Sequence, residues 1–208
     1  QFFELLITIT HASVFITDII VNDPSILDYL FETAEILHPL NRKALRQELR
    51  RIDSKSCDDG SFTRSCLTVK NREKVRIGAR DITGISSTAD TVQELTAVAE
   101  SIVKNTFDRA FRELSAAYPV LRKDYAFAVI AAGRLGSEIM NYGSDLDLIF
   151  IYKTGPGAAD CIEIHEYSVR LAARTLGLIT GGGGSYKIYD VDARLRPEGG
   201  NSMLAISL

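Results

Sequence analysis

Gly133-Arg-Leu-Gly-Ser-Glu-Ile-Met-Asn-Tyr-Gly-Ser-Asp-Leu-Asp-Leu-Ile-Phe-Ile-Tyr152 is the stretch whose reading decides the fold. A glycine-rich turn leads into a strand that opens on Asp145 and Asp147, with Leu146 between them. Side chains two apart on a strand point to one face, so the two carboxylates project together. The apolar run Leu148-Ile-Phe-Ile151 anchors the strand in a core. Two acids at one spot repel, and one of them then resists ionising. A divalent cation removes that conflict, and paired carboxylates beside a phosphate-sized glycine loop suit Mg²⁺. The combination points to nucleotide chemistry.

Working outward toward the C-terminus, Thr154-Gly-Pro-Gly-Ala158 reads as a loop and Asp160 to Leu176 as a helix. Gly181 to Gly184 is a slack connector, and Tyr186 to Leu195 reads as a third strand. That strand carries Tyr189-Asp-Val-Asp-Ala-Arg-Leu-Arg-Pro197. If Asp192 lies beside Asp145 and Asp147 in one sheet, three carboxylates converge. Asp190 shares the face of Asp192 by strand alternation, so spacing leaves both open. Three acids, a glycine loop and nearby arginines are the outfit of a metal-dependent nucleotidyl transferase. One ion would orient the triphosphate, and a second would activate the attacking group. Arg194 and Arg196 could offset phosphate charge through bidentate hydrogen bonds. Taken singly, each element is ordinary: an exposed acid pair, a Gly136-Ser137 turn, an edge strand with solvated arginines. Their order and spacing carry the reading.

Working toward the N-terminus, Tyr125 to Ala131 reads as a buried strand, and everything before about Pro119 reads as helical. Asp23-Pro24 looks like a helix start. Pro39 to Leu49 is a charged amphipathic helix, and Asp53 to Ser65, rich in Ser, Asp and Gly, is expected to be a loop. Lys70 to Ile82 resumes helix and ends at Gly84. Asp90 with Gln93 suggests a capping box opening the longest helix, which Tyr118-Pro119 stops. The expected class is therefore α+β: a helical region over residues 1–119, then an α/β domain with a small mixed sheet over residues 120–208.

Composition sets limits on function. The chain has 208 residues, 46% hydrophobic and 25% charged, the range of a globular protein. A net charge of −3 gives no basic surplus for general nucleic-acid binding. Twelve basic residues from Arg42 to Arg80 read as the solvated face of helices, with an acidic partner or nucleotide phosphates as the alternative. Cys57, Cys66 and Cys161 suggest neither a disulfide framework nor a zinc site, and reduced thiols fit the cytosol. Leu5 to Ile9 is too short to span a membrane. The chain starts at Gln1 and is expected to be a piece of something longer.

The segment Gly133–Tyr152 resembles the nucleotidyltransferase signature of the DNA polymerase β superfamily. With Val191-Asp-Ala-Arg-Leu-Arg-Pro-Glu-Gly199 it is similar to glutamine synthetase adenylyltransferase. Ser13 to Asp28 resembles the helical opening of that family's catalytic halves and Val75 to Gly84 the segment before its long helix, so the likeness covers nearly the whole chain. The resemblance implies a polymerase β-like domain in which Asp145, Asp147 and Asp192 are catalytic and hold two Mg²⁺ ions; Asp190 falls at a variable family position. It implies a nucleotide-binding set of Arg134, Gly136, Ser137, Ser144, Arg194 and Arg196. Arg134 stands where the family usually has Lys, and Ser137 where it has Gly. The implied reaction attaches AMP from ATP to a tyrosine of glutamine synthetase, or removes it by phosphorolysis, in a bacterial cytoplasm under control of the PII signalling protein and glutamine. Tyr189 to Leu204 looks like the transferase half, which is the reading adopted; Asn141-Tyr142 looks like the removing half. A non-catalytic nucleotide-binding module is the competing class. A uridylyl or aminoglycoside nucleotidyl transferase would share the metal site but not the helical first half.

Overall fold

In the computed structural model the described residues are 2–32, 38–118, 125–154, 162–182, 184, 186–195 and 203–208. They form eight helices and four strands: α1 (Phe2–Ala12), α2 (Val14–Asn22), α3 (Ser25–Glu32), α4 (Arg42–Lys55), α5 (Asp59–Ile82), α6 (Thr88–Ala117), β1 (Tyr125–Ala132), α7 (Gly133–Gly136), β2 (Leu146–Thr154), α8 (Ile162–Thr180), β3 (Val191–Asp192) and β4 (Ala205–Ser207). The architecture is α+β, as expected: long helices first, then a small mixed sheet.

Several boundaries differ from the sequence reading, each for a local reason. The expected loop 53–65 is almost entirely helical. Asp53 to Lys55 ends α4, and Asp58 starts α5 with a capping box, its side chain accepting from the Ser61 backbone N–H at 2.8 Å. Asp and Ser there are caps, and Phe62 and Cys66 one turn later are fully buried. The capping box of α6 is Ser87 with Asp90, not Asp90 with Gln93, so that helix starts at Thr88. At Asp23 the chain is closing α2, its N–H bonded to Ile19 O, and α3 begins at Ser25. Helix α4 starts at Arg42 behind Asn41, whose side chain accepts from Ala44 N–H, so Pro39 lies outside it. Helix α5 ends where expected: Gly84, at φ 71°, and Ile85 donate back to Asp81 O and Arg80 O. Helix α8 runs four residues beyond Leu176, with Leu178 and Ile179 buried. The third strand shrinks from ten expected residues to Val191–Asp192.

The sheet is built around β2. It pairs antiparallel with β1 from Asp147 to Thr154, parallel with β3 at Leu146–Asp147, and parallel with β4 at Phe150–Tyr152. Along β2, Leu146, Leu148, Phe150 and Tyr152 are buried, while the alternating Asp147, Ile149 and Ile151 are only half-buried. One cluster joins this buried face to α4, α5, α6 and α8 through Leu49, Phe62, Ile102, Phe150 and Leu171, so residues on both sides of position 119 share a core. A smaller cluster seats α1, α2 and α3 on Val75 and Ala79 of α5. No single helix among the described residues is long and apolar enough to cross a membrane, although the bent α1–α2 pair passes that test by composition.

The basic residues between Arg42 and Arg80 divide into two groups. Arg42, Lys43, Arg46, Arg50, Arg51, Lys55 and Arg64 are exposed, but Lys70 and Arg72 are half-buried and Lys74, Arg76 and Arg80 buried, so solvation describes only the first group. Arg76 sits between Glu73 and Glu94 at 2.8 and 2.7 Å and also donates to His38 O. Arg72 makes a bidentate pair with Glu48. These ion pairs tie α4, α5 and α6 together.

Candidate active site

The glycine turn is shaped by close approach. Gly133 has φ 52°, and a Cβ built on it would stand 1.9 Å from Asp147 Oδ2. Glycine is therefore what lets the turn lie against that carboxylate. A Cβ on Gly136 would meet Ala131 O at 2.4 Å, so the turn also needs glycine where it folds back on β1. Between them Leu135 is buried and fixes α7 to the core, leaving Arg134, Gly136 and Ser137 exposed. The Ser137 N–H closes the turn onto Gly133 O at 3.0 Å.

Beyond the turn, Met140 is buried and its N–H reaches Thr96 Oγ1 of α6. Asn141 Oδ1 accepts from Gly143 N–H and from the Ser144 hydroxyl, and Ser144 Oγ accepts from Asn141 N–H. Arg134 approaches the same Oγ at 3.5 Å. Buried Ser144 thus shapes the turn that delivers Asp145 and Asp147, with its hydroxyl engaged by protein.

Asp147 is the register partner of Ala132 on β1 and of Asp192 on β3, so the Asp147 and Asp192 side chains share one sheet face. That is the open face, which continues as Ile149 and Ile151 of β2, Ile130 of β1 and Ile206 of β4. Asp145 lies one residue before the strand and is exposed. Asp190, left tied with Asp192 by alternation, precedes the shortened strand. Its carboxylate pairs with Lys187 in solvent, while its carbonyl receives Leu146 N–H.

Asp192 is held by Arg194, whose backbone N–H and guanidinium both donate to it at 2.7–3.2 Å. Those bonds lower the Asp192 pKa to about 2 and raise that of Arg194. Among the described residues no three acidic, histidine or cysteine side chains close into a metal cage. Arg196 lies outside the described residues, as do Pro119, Cys161 and residues 155–160, within which a loop was expected. The donor set still fits a hard cation: in-register carboxylates on an open face, one held against a glycine turn.

Two contacts behind the acidic segments escape a reading of motifs. Lys74 of α5 donates from Nζ to Tyr142 O at 2.5 Å, and Lys70, one turn earlier, donates to Ile188 O. The Tyr142 hydroxyl donates to Asp81 at 3.1 Å, and its ring lies 6.1 Å from that of Phe15. Lysines four apart on a helix carry no sequence signal for such contacts.

Fold and site together define an α+β protein with a glycine turn and paired carboxylates at the end of a small sheet. The family model for glutamate–ammonia ligase adenylyltransferase matches residues 3–208, and the chain belongs to that family. It is 30% identical to a bifunctional glutamine synthetase adenylyltransferase/adenylyl-removing enzyme of Shewanella oneidensis over 97% of its length. It is 32% identical to proteins of the same description from Xanthomonas campestris pv. campestris and Hahella chejuensis, over 98%. In each case the chain spans 22% of the relative, about a fifth of its length.

Proposed function

We propose that this chain is one catalytic half of an enzyme that moves AMP between ATP and a tyrosine of glutamine synthetase, and that its direction is adenylylation. The carrying observation is the register of Asp147 with Asp192 on the open sheet face, beside a turn that only glycine allows to approach Asp147. Asp147, Asp192 and the adjacent Asp145 would hold Mg²⁺, which supplies charge stabilisation on the transferring phosphoryl group. Asp192, oriented by its hydrogen bonds from Arg194, is suited to position the attacking hydroxyl. Arg134, exposed on the glycine turn, and Arg194 would be suited to offset triphosphate charge.

The names of the relatives cover both attachment and removal. The stretch Tyr189 to Leu204 favours attachment here, and Asn141-Tyr142 favours removal by phosphorolysis. Control by a PII-type signalling protein and glutamine would act through the full-length protein. The test is incubation of full-length protein with glutamine synthetase, ATP and Mg²⁺, read by intact mass of the synthetase. One added AMP, absent with Asp145→Asn or Asp147→Asn, is expected. Loss of AMP only from pre-modified synthetase with phosphate would assign removal instead, and near-normal turnover by both Asn variants would sink the carboxylate mechanism.

A further inference from the structure

β3 is only two residues long, so its ladder cannot by itself fix Asp192 opposite Asp147. Leu146 N–H to Asp190 O steadies the approach to this pairing, and Ile188 and Tyr189 N–H tie the incoming segment to Ile179 O near the end of α8. Short parallel pairings are weak, and both acid-bearing segments enter from loops. Something outside the sheet must hold their relative height.

Helix α5 lies behind these loops. Lys70 and Lys74 are one turn apart on it and so share a face. Lys74 Nζ donates to the carbonyl of Tyr142, three residues before Asp145, and Lys70 Nζ donates to the carbonyl of Ile188, four residues before Asp192. The ring of buried Tyr189 lies between the two contacts, 4.7 Å from one ammonium and 5.7 Å from the other. Phe15 lies 5.3 Å from Lys74 Nζ. Neither lysine forms a carboxylate ion pair among the described residues. Burying an ammonium this way is costly, and burial lowers both pKa values, to about 7 for Lys70 and about 8 for Lys74. An apolar side chain of similar length would fill the same space without that penalty.

We propose that Lys70 and Lys74 are positioning residues of the acidic site: from one face of α5 they hold the two backbone segments that deliver Asp145–Asp147 and Asp192, and so set the spacing of those carboxylates. The inference rests on the proposed metal-dependent transfer at these carboxylates. Its experiment separates the two ideas.

Lys70→Met, Lys74→Met and the double variant are made in the full-length protein and compared by amide hydrogen exchange and by the Mg²⁺ dependence of AMP transfer. Lys74→Met should accelerate exchange over 143–147, and Lys70→Met over 189–192, each by about tenfold or more, the scale of a lost charged hydrogen bond. The centre of α6 should exchange as before. In the double variant the half-saturating Mg²⁺ concentration should rise by about tenfold, with a lower kcat. Lys74→Gln, which keeps a donor, should fall between parent and Lys74→Met.

Unchanged exchange in both segments would overturn the inference. So would acceleration spread evenly over α6, or failure to fold shared by Lys74→Gln, because the lysines would then be general fold determinants. If the parent protein transfers no AMP, the functional reading fails, and the exchange data still decide whether the lysines hold the two segments.

Discussion

Replacing Gly133 by alanine tests whether the turn and the Asp147 carboxylate are sterically coupled. The residue has φ 52°, and the added Cβ would sit 1.9 Å from Asp147 Oδ2 and 2.9 Å from its Cγ. The left-handed backbone costs a non-glycine residue about 1–2 kcal/mol. Relieving the clash forces Asp147 off its rotamer, which costs about 0.5–1.5 kcal/mol. Gly133→Ala should therefore destabilise the chain by about 1.5–3.5 kcal/mol. In an Asp147→Ala background the carboxylate is gone and the nearest remaining atom of that side chain is Cβ at 3.4 Å, an ordinary contact. Only the backbone part of the penalty persists there, so the double-mutant coupling should be about 1 kcal/mol. Urea unfolding of the parent, both single variants and the double variant, followed by circular dichroism, measures it. Additivity within about 0.5 kcal/mol would refute the close approach as the reason for glycine.

Arg76→Met should cost about 3–5 kcal/mol, because Glu73 and Glu94 stay buried after losing a direct partner; the same unfolding assay reads it, and a loss under about 1 kcal/mol would show that Arg72 and Arg80 compensate. Stability should also climb as pH rises from about 7 toward 9. Lys70 and Lys74 have folded pKa values of about 7 and about 8, below their unfolded value of 10.5, so in that range the unfolded chain binds more protons. Melting temperatures across that range in the parent should show the climb, and Lys70→Met with Lys74→Met should flatten it.

Legibility differed by the range of the interaction involved. Helix periodicity over Thr88–Ala117 and the positions of β1 and β2 follow from each residue's own neighbours, and all three elements lie within a few residues of expectation. However, β1, read as a buried strand, alternates half-buried with exposed residues, because only one of its faces meets the helices. Residues 53–65 were misread because Asp58 and Ser61 are polar in composition yet serve as caps, a role that depends on Phe62 and Cys66 finding a core several helices away. Tyr186–Leu195 was misread as one long strand because its residues suit a strand, whereas β2 offers β3 pairing only at Leu146 and Asp147.

The order of glycine turn, Asp-x-Asp strand, helix and third aspartate was written in the sequence, because those positions are set by local backbone chemistry and short spacing. So was the family resemblance, which the family match bears out. Which aspartate faces Asp147 was left open by spacing alone, and the family resemblance favoured Asp192. The pairing depends on strand register between segments more than forty residues apart, and Asp192, not Asp190, is the partner across the sheet. The same holds for Lys70 and Lys74. Whether a helical lysine reaches solvent or a buried carbonyl is decided by what packs against the helix, and only the tertiary structure supplies that.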